Sequence, residues 1–129
     1  MIYPLSERAH AKVNLHLQVL NRRPDGYHNI LSLMVKIGVH DLLKYEILGR
    51  GDHTSPLSPQ IDIRSVSGEE CAVIRDLPAE ENLIVRAAMT YFQSQGACAH
   101  ILLDVEKNIP AGAGLGGGSA DAAGMIRIL

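Results

Sequence analysis

Between Ile109 and Ala123 the chain reads I-P-A-G-A-G-L-G-G-G-S-A-D-A-A, with five glycines from Gly112 to Gly118 and helix formers directly behind them. Glycine lets backbone N–H groups turn inward at φ values that other residues avoid, which builds an anion-binding nest. Ser119 stands where a helix cap is wanted, and the dipole of the helix behind it faces the same anion. Ala99–Glu106 reads as the strand that feeds the loop. Strand, glycine loop and helix N-terminus together predict a turn that holds phosphate.

Two other phosphate motifs fail on particular residues. The pattern G-x-x-x-x-G-K-[ST] is met from Gly112 to Ser119 except that Gly118 replaces the lysine, so the ammonium that would reach the β- and γ-phosphates is missing. The pattern G-x-G-x-x-G is formally met by Gly112, Gly114 and Gly117, but Pro110 interrupts the approach to the turn. The chain also stops before a ribose-binding acid about 20 residues further on could appear. A flexible linker would not run straight into a helix of apolar residues.

The rest of the chain reads as α+β. Ala11, Val13, Leu15, Leu17 and Val19 alternate with Lys12, Asn14, His16 and Gln18, which predicts a half-buried strand over Ala11–Leu20. Asn21–His28 is a turn centred on Pro24-Asp25-Gly26, with Asp25 as a turn residue. Ile30–Val39 and Leu42–Leu48 read as two strands bent apart around Gly38–Asp41, Gly49–Gln60 as a surface loop, and Ile61–Val66 as a short strand. Asn82 is placed to cap a helix on which Ile84, Ala87, Ala88 and Tyr91 recur. The last helix is expected to run Ser119–Leu129, which makes residues 1–129 one domain or part of one.

Composition excludes several classes of function. A hydrophobic fraction of 47% supports a core, and a formal net charge of −2 argues against a general nucleic-acid binder. Cys71 and Cys98 lie far apart, so neither a zinc site nor a disulfide framework is suggested. His10, His40, His53 and His100 show no metal-ligand spacing, and His16 reads as a surface or packed histidine. Met1–His10 lacks an apolar targeting segment, and no run reaches the roughly 18 apolar residues of a membrane span, so a cytoplasmic protein without membrane contact is expected.

Pro110–Gly116, as P-x-G-x-G-L-G, resembles the nucleotide loop of the GHMP kinases, small-molecule kinases that include homoserine and mevalonate kinases. Three further segments join the G-L-G-G-G-S-A-D-A-A form of the loop: Ala11–Leu15 (A-K-V-N-L), Arg22–His28 (R-R-P-D-G-Y-H) and Asn82–Ala88 (N-L-I-V-R-A-A). In that order they are similar to the branch acting on 4-diphosphocytidyl-2-C-methylerythritol in the non-mevalonate isoprenoid pathway. The resemblance implies an S5 domain 2-like fold. It implies ATP as phosphoryl donor, with Mg²⁺ carried on the nucleotide, and transfer to the 2-hydroxyl of that alcohol. Pro110, Ala111, Gly112, Ala113, Gly114, Leu115, Gly116, Gly117, Gly118, Ser119 and Ala120 would then hold the nucleotide.

The same resemblance makes Lys12 the active-site lysine, whose ammonium would stabilise charge on the transferred phosphoryl group. Read without it, Lys12 is a solvated edge-strand lysine. Asn14 would bond the sugar-alcohol end of the substrate, Tyr27 would stack on cytosine, and His28 would address the edge of the pyrimidine. Asp121 is expected to serve the helix N-terminus rather than to act as a base. Gly117 and Gly118 offer no hydroxyl to Mg²⁺, so no metal ligand is assigned. Met125, Ile126 and Leu129 have no later element to pack against. Relatives continue into a segment with the catalytic aspartate and into a second domain, so the chain reads as cut within a larger fold with its C-terminal domain absent. The alternatives are a GHMP kinase for another small alcohol and an inactive nucleotide-binding domain.

Overall fold

A 25-residue strand is the spine of this protein. In the computed structural model, which describes residues 5–52 and 54–129, β1 spans Leu5–Arg22 and β2 His28–Asp52. The first four residues of the expected leader-free N-terminus, and His53, lie outside the described residues. β3 spans Gln60–Ser67, a one-turn helix α1 Ala72–Arg75, α2 Leu83–Gln95, β4 Ala97–Glu106 and α3 Gly117–Ile128. The sheet order is β1-β2-β4-β3, with β1 and β4 antiparallel to β2 and β3 parallel to β4. This is the α+β class expected from the element order.

The two strands expected between Ile30 and Leu48 are one. β1 steps from His10 to Lys12 while β2 steps from His40 to Lys36, so the extra residues of β2 are absorbed as a bulge at Gly38 and pairing resumes. A bulge bends and twists a strand without ending it. The loop expected from Gly49 likewise starts later. Gly49 and Gly51 stay in β2, paired with His100 and Cys98 of β4, and Gly49 sits at a second register shift. A glycine inside a strand marks such a bulge or a close approach, here Ser55 against Gly51.

The helices lie on one face of the sheet. The inward residues of β4, Ala99, Ile101, Leu103 and Val105, meet Leu43 of β2, Ile84, Ala88 and Phe92 of α2, and Met125 and Ile128 of α3. Asn82 caps α2 as expected, its side chain accepting from the Ile84 N–H at 2.9 Å, and Gly96 ends that helix at φ 61°. Met125, expected to lack a partner, is fully buried, and Ile128 is buried with it. α3 turns back across β1 and β2, so elements earlier in the chain supply the partner. Gly124 makes that approach possible, because a Cβ there would stand 3.0 Å from Leu43.

Candidate functional site

The glycine loop begins where β4 leaves the sheet. Ile109 is buried, Pro110 to Gly114 are exposed, and Gly112, Gly114 and Gly116 adopt φ of 69°, 72° and 72°. The cap of α3 is Gly116, not Ser119. Its carbonyl accepts the first helical bond, from Ala120 N–H at 2.9 Å, and Ser119 already lies in the first turn. Gly117 and Gly118 belong to the helix and not to the loop, because first-turn residues need little helix propensity once the turn is anchored. The N–H groups of Gly117, Gly118 and Ser119 have no intrahelical acceptor and are available to an anion. They border an open cleft of about 340 Å³, walled by the loop on one side and by Val73, Leu83, Lys107 and Ile109 on the other.

β1 brings Lys12 to this loop. At the bulge its backbone N–H leaves the sheet pairing and donates to the Leu115 carbonyl at 3.0 Å. Its methylene stem lies over Gly116, where an added Cβ would come within 3.3 Å of Cε. Gly116 therefore answers two demands at once, a left-handed φ and a close approach. The Lys12 ammonium donates to Asn14 Oδ1 at 2.7 Å, Asn14 Nδ2 donates to Ser32 Oγ at 2.9 Å, and Ser32 Oγ donates to the His16 carbonyl at 2.8 Å. The chain of bonds orients the lysine, and Asn14 retains one N–H and one lone pair for a ligand.

Tyr27 and His28 are placed elsewhere. They sit at the tip of the β1–β2 hairpin, where Arg23 N–H donates to the Tyr27 carbonyl and Asp25 Oδ1 accepts from Tyr27 N–H at 3.1 Å. Asp25 is thus the turn residue expected, beside Gly26 at φ 91°. The Tyr27 ring is 73% exposed. Ten strand residues at about 3.3 Å each separate the tip from Lys12, on the order of 30 Å along β1. Neither residue walls the cleft over the loop.

A buried ion cluster under the loop went unread in the sequence. Lys107 Nζ bonds Asp41 Oδ2 and, at 2.6 Å, Asp121 Oδ2, and all three residues are buried. Asp41 Oδ1 also accepts the N–H groups of Asn108 at 2.5 Å and Ile109 at 2.8 Å, the two residues that open the loop. Burial works against the Lys107 ammonium, but its bonds to Asp121 and Asp41 hold its pKa above the ordinary lysine value. Burial pushes the Asp121 carboxyl up to about 7, although Lys107 pulls it down. Asp121 lies beyond the first turn of α3, so it joins helix to loop entry instead of serving the helix terminus. Alternation could have found the cluster. Asp41 is in phase with inward Leu43, and Lys107 with inward Val105 and Ile109, and a charge at such a position needs a partner.

Residues 82–129 match the GHMP kinases N terminal domain. The chain is 40% identical over 121 residues to 4-diphosphocytidyl-2-C-methyl-D-erythritol kinase of Desulfitobacterium hafniense (strain Y51), covering 94% of this chain and 36% of that protein. It is also 40% identical over 126 residues to the kinase of the same name from Desulfotalea psychrophila (strain LSv54 / DSM 12343), covering 95% of this chain and 37% of that protein. Residues 82–129 are thus similar to the N-terminal domain of the GHMP kinases. It spans about a third of the length of these curated relatives, 36% and 37%. A crystal structure of 4-(cytidine 5'-diphospho)-2C-methyl-D-erythritol kinase superposes with a TM-score of 0.64 at 37% identity, over 97% of this chain and 39% of that one. Homoserine kinase from Cytophaga hutchinsonii ATCC 33406 shares the fold, with a TM-score of 0.58 at 20% identity over 98% of this chain and 34% of that one. The GHMP match covers α2, β4, the glycine loop and α3, the segment that holds the left-handed glycines and the open cleft. No helix among the described residues is long and apolar enough to cross a membrane.

Proposed function

We propose that this chain belongs to the GHMP kinases, binds ATP on the glycine loop and serves phosphorylation of the 2-hydroxyl of 4-diphosphocytidyl-2-C-methylerythritol, in the cytoplasm. The observation that carries the reading is the seat of Lys12 on Gly116: it sets one ammonium beside a nest of free N–H groups. Three left-handed glycines, an anchored helix N-terminus and a lysine fit a polyphosphate, and Pro110–Ala120 would cradle it through backbone groups. Mg²⁺ would arrive on the nucleotide. Lys12, held by Asn14, would stabilise the charge spread over the transferred group, while the remaining polar capacity of Asn14 would orient the accepting alcohol. Tyr27 and His28 would hold the cytidine end, with the arm that carries them bent toward the loop. The names and identities of the relatives support this choice of alcohol over another GHMP substrate.

Calorimetric titration of the chain with a Mg²⁺-loaded, non-hydrolysable ATP analogue tests the loop. Saturable binding is expected, and Gly116→Val should weaken it at least about tenfold, since a branched side chain would meet both the Lys12 stem and the φ of 72°. Unchanged affinity in that variant would remove the loop from the site. In any form of the protein that turns over the cytidine substrate, Lys12→Ala should lower kcat by about 10²-fold or more with nucleotide affinity nearly intact. Tyr27→Ala should weaken binding of a cytidine diphosphate probe and leave ATP binding alone.

A further inference from the structure

The ion cluster under the glycine loop holds two carboxylates and one ammonium, so it carries a surplus negative charge when all three are ionised. It lies where a polyphosphate would feel that charge. Lys107 forms part of the floor of the cleft, and its ammonium is 3.6 Å from where a Cβ on Gly117 would stand. Asp41 bonds the first two N–H groups of the loop, and Asp121 belongs to the helix whose N-terminus would receive the anion. The carboxyl oxygen Asp121 Oδ1 is buried and has no hydrogen-bond partner among the described residues. An unpaired buried oxygen on a carboxylate is unfavourable, whereas a protonated carboxyl needs less solvation.

We propose that a polyphosphate seated in the glycine loop is bound together with one proton, which the buried Asp121 carboxyl takes up from solvent. The proposal rests on the nucleotide reading above and deepens it. Phosphate charge brought against a net negative cluster in a water-poor setting is repelled, and an O–H bond formed at Asp121 removes the surplus. With Asp121 protonated, Lys107 remains an ammonium paired with Asp41, and the bonds from Asn108 and Ile109 to Asp41 persist, so the loop keeps its shape. The carboxyl already sits near neutrality, so a modest shift on binding moves a measurable fraction of a proton.

The groups facing Asp121 support this assignment. From β2 it faces Asp41, and from the exit of β4 it faces Lys107. From β1 the nearest carboxylate, Glu7, is engaged by Arg127 of α3. α2 carries Arg86 as its sole charged residue, and that side chain is exposed. Glu70, which accepts from Ala111 N–H, and His40, whose carbonyl accepts from Asn108, also border the loop, so the test must separate Asp121 from its surroundings.

The experiment is calorimetric titration of the chain with the Mg²⁺-loaded ATP analogue in two buffers of different ionisation enthalpy at about pH 7.5, repeated across pH. Wild type should take up a substantial fraction of a proton on binding. Its Kd should rise up to about tenfold between about pH 6 and pH 8.5, one unit of coupled pKa being a tenfold change. Asp121→Asn, which keeps the shape without the titration, should bind with less than about twofold change over the same range and no proton uptake. The ligand's own ionisation is titrated separately and subtracted from both proteins before these comparisons. Binding by wild type without proton uptake overturns the proposal and leaves the nucleotide reading standing. Uptake that survives in Asp121→Asn assigns the proton to another group and overturns it equally. Absence of binding by wild type at every pH sinks the nucleotide reading and the proposal with it. Should Asp121→Asn fail to fold, the carbon-13 carboxyl shift of Asp121 in wild type, titrated with and without the analogue, decides: an unmoved midpoint overturns the proposal.

Discussion

The two halves of β1 carry the same alternation and meet opposite fates. In the inner half Ala9 and Ala11 are fully buried under α3, close to Leu43 and the ion cluster. In the outer half Leu15, Leu17 and Val19 continue the same phase, yet they are 65%, 54% and 60% exposed. Their neighbours on β2, Ile30, Leu31, Leu33 and Met34, are exposed as well. Among the described residues the outer half is a two-stranded arm with no layer over it, and the inner half is one wall of a packed domain. Period two shows that a strand has two chemically different faces. It is silent on whether anything lies against either. At the end of α3 Ile126 stays exposed as expected, but Met125 is buried because α3 folds back over β1 and β2, and the larger exposed apolar surface lies on the hairpin.

If the packed half alone carries the stability, substitutions should sort by half. The largest loss is expected from Lys107→Ala, about 3–5 kcal/mol in urea unfolding, because it strands two buried carboxylates. Loss below about 1 kcal/mol would mean that the cluster is hydrated and that the inner half is not closed. Ile101→Ala, at a fully buried position under α2 and α3, should cost about 2–5 kcal/mol by lost transfer energy and the cavity left behind.

Proton linkage gives a third contrast. Asp121 has its folded pKa raised from 3.8 to about 7, so the folded state holds the proton more tightly than the unfolded chain does. Its contribution is complete below the ordinary carboxylate range and is lost as pH rises toward and through 7. Scanning calorimetry should show Tm falling by about 5 °C between pH 5 and pH 8. Asp121→Asn should flatten that dependence, whereas charge changes on the outer arm should leave it intact.

Asn82→Ala removes the cap of α2 and should cost about 1 kcal/mol, a loosening of the cover over the inner half. The smallest effect is expected on the arm. Leu17→Ser should shift stability by no more than about 0.5 kcal/mol while lowering the fluorescence of a bound hydrophobic dye. A cost near that of Ile101→Ala would show that the arm is packed in solution and would erase the contrast between the two halves.

Features written in short runs of residues were legible before any coordinates. Pro24-Asp25-Gly26 makes its turn, Asn82 caps its helix, and the glycine loop joins β4 to a helix, because each depends on backbone preferences within a few positions. The α+β class followed from periodicity for the same reason. Local reading failed where distant contacts override propensity. Gly38, Gly49 and Gly51 read as breaks, but pairing with β1 and β4 carries β2 through them, with register shifts at the first two and regular pairing at Gly51. Gly117 and Gly118 read as loop, but Gly116 and the Lys12 backbone anchor the turn and draw them into α3.

The chain's residues by themselves determined that a left-handed glycine turn is built, since φ near +70° at alternate loop positions is open to glycine and closed to nearly everything else. They also determined which segments alternate and which recur at helical spacing. Tertiary structure alone decided what each feature faces. It set Lys12 on Gly116, and it left Tyr27 and His28 at a distant hairpin tip. It brought Asp41, Lys107 and Asp121 together from positions up to 80 residues apart (41 to 121). Backbone preference is a property of a residue and its neighbours. Charge pairing and burial depend on which surfaces the fold brings into contact, and no window of sequence contains both partners.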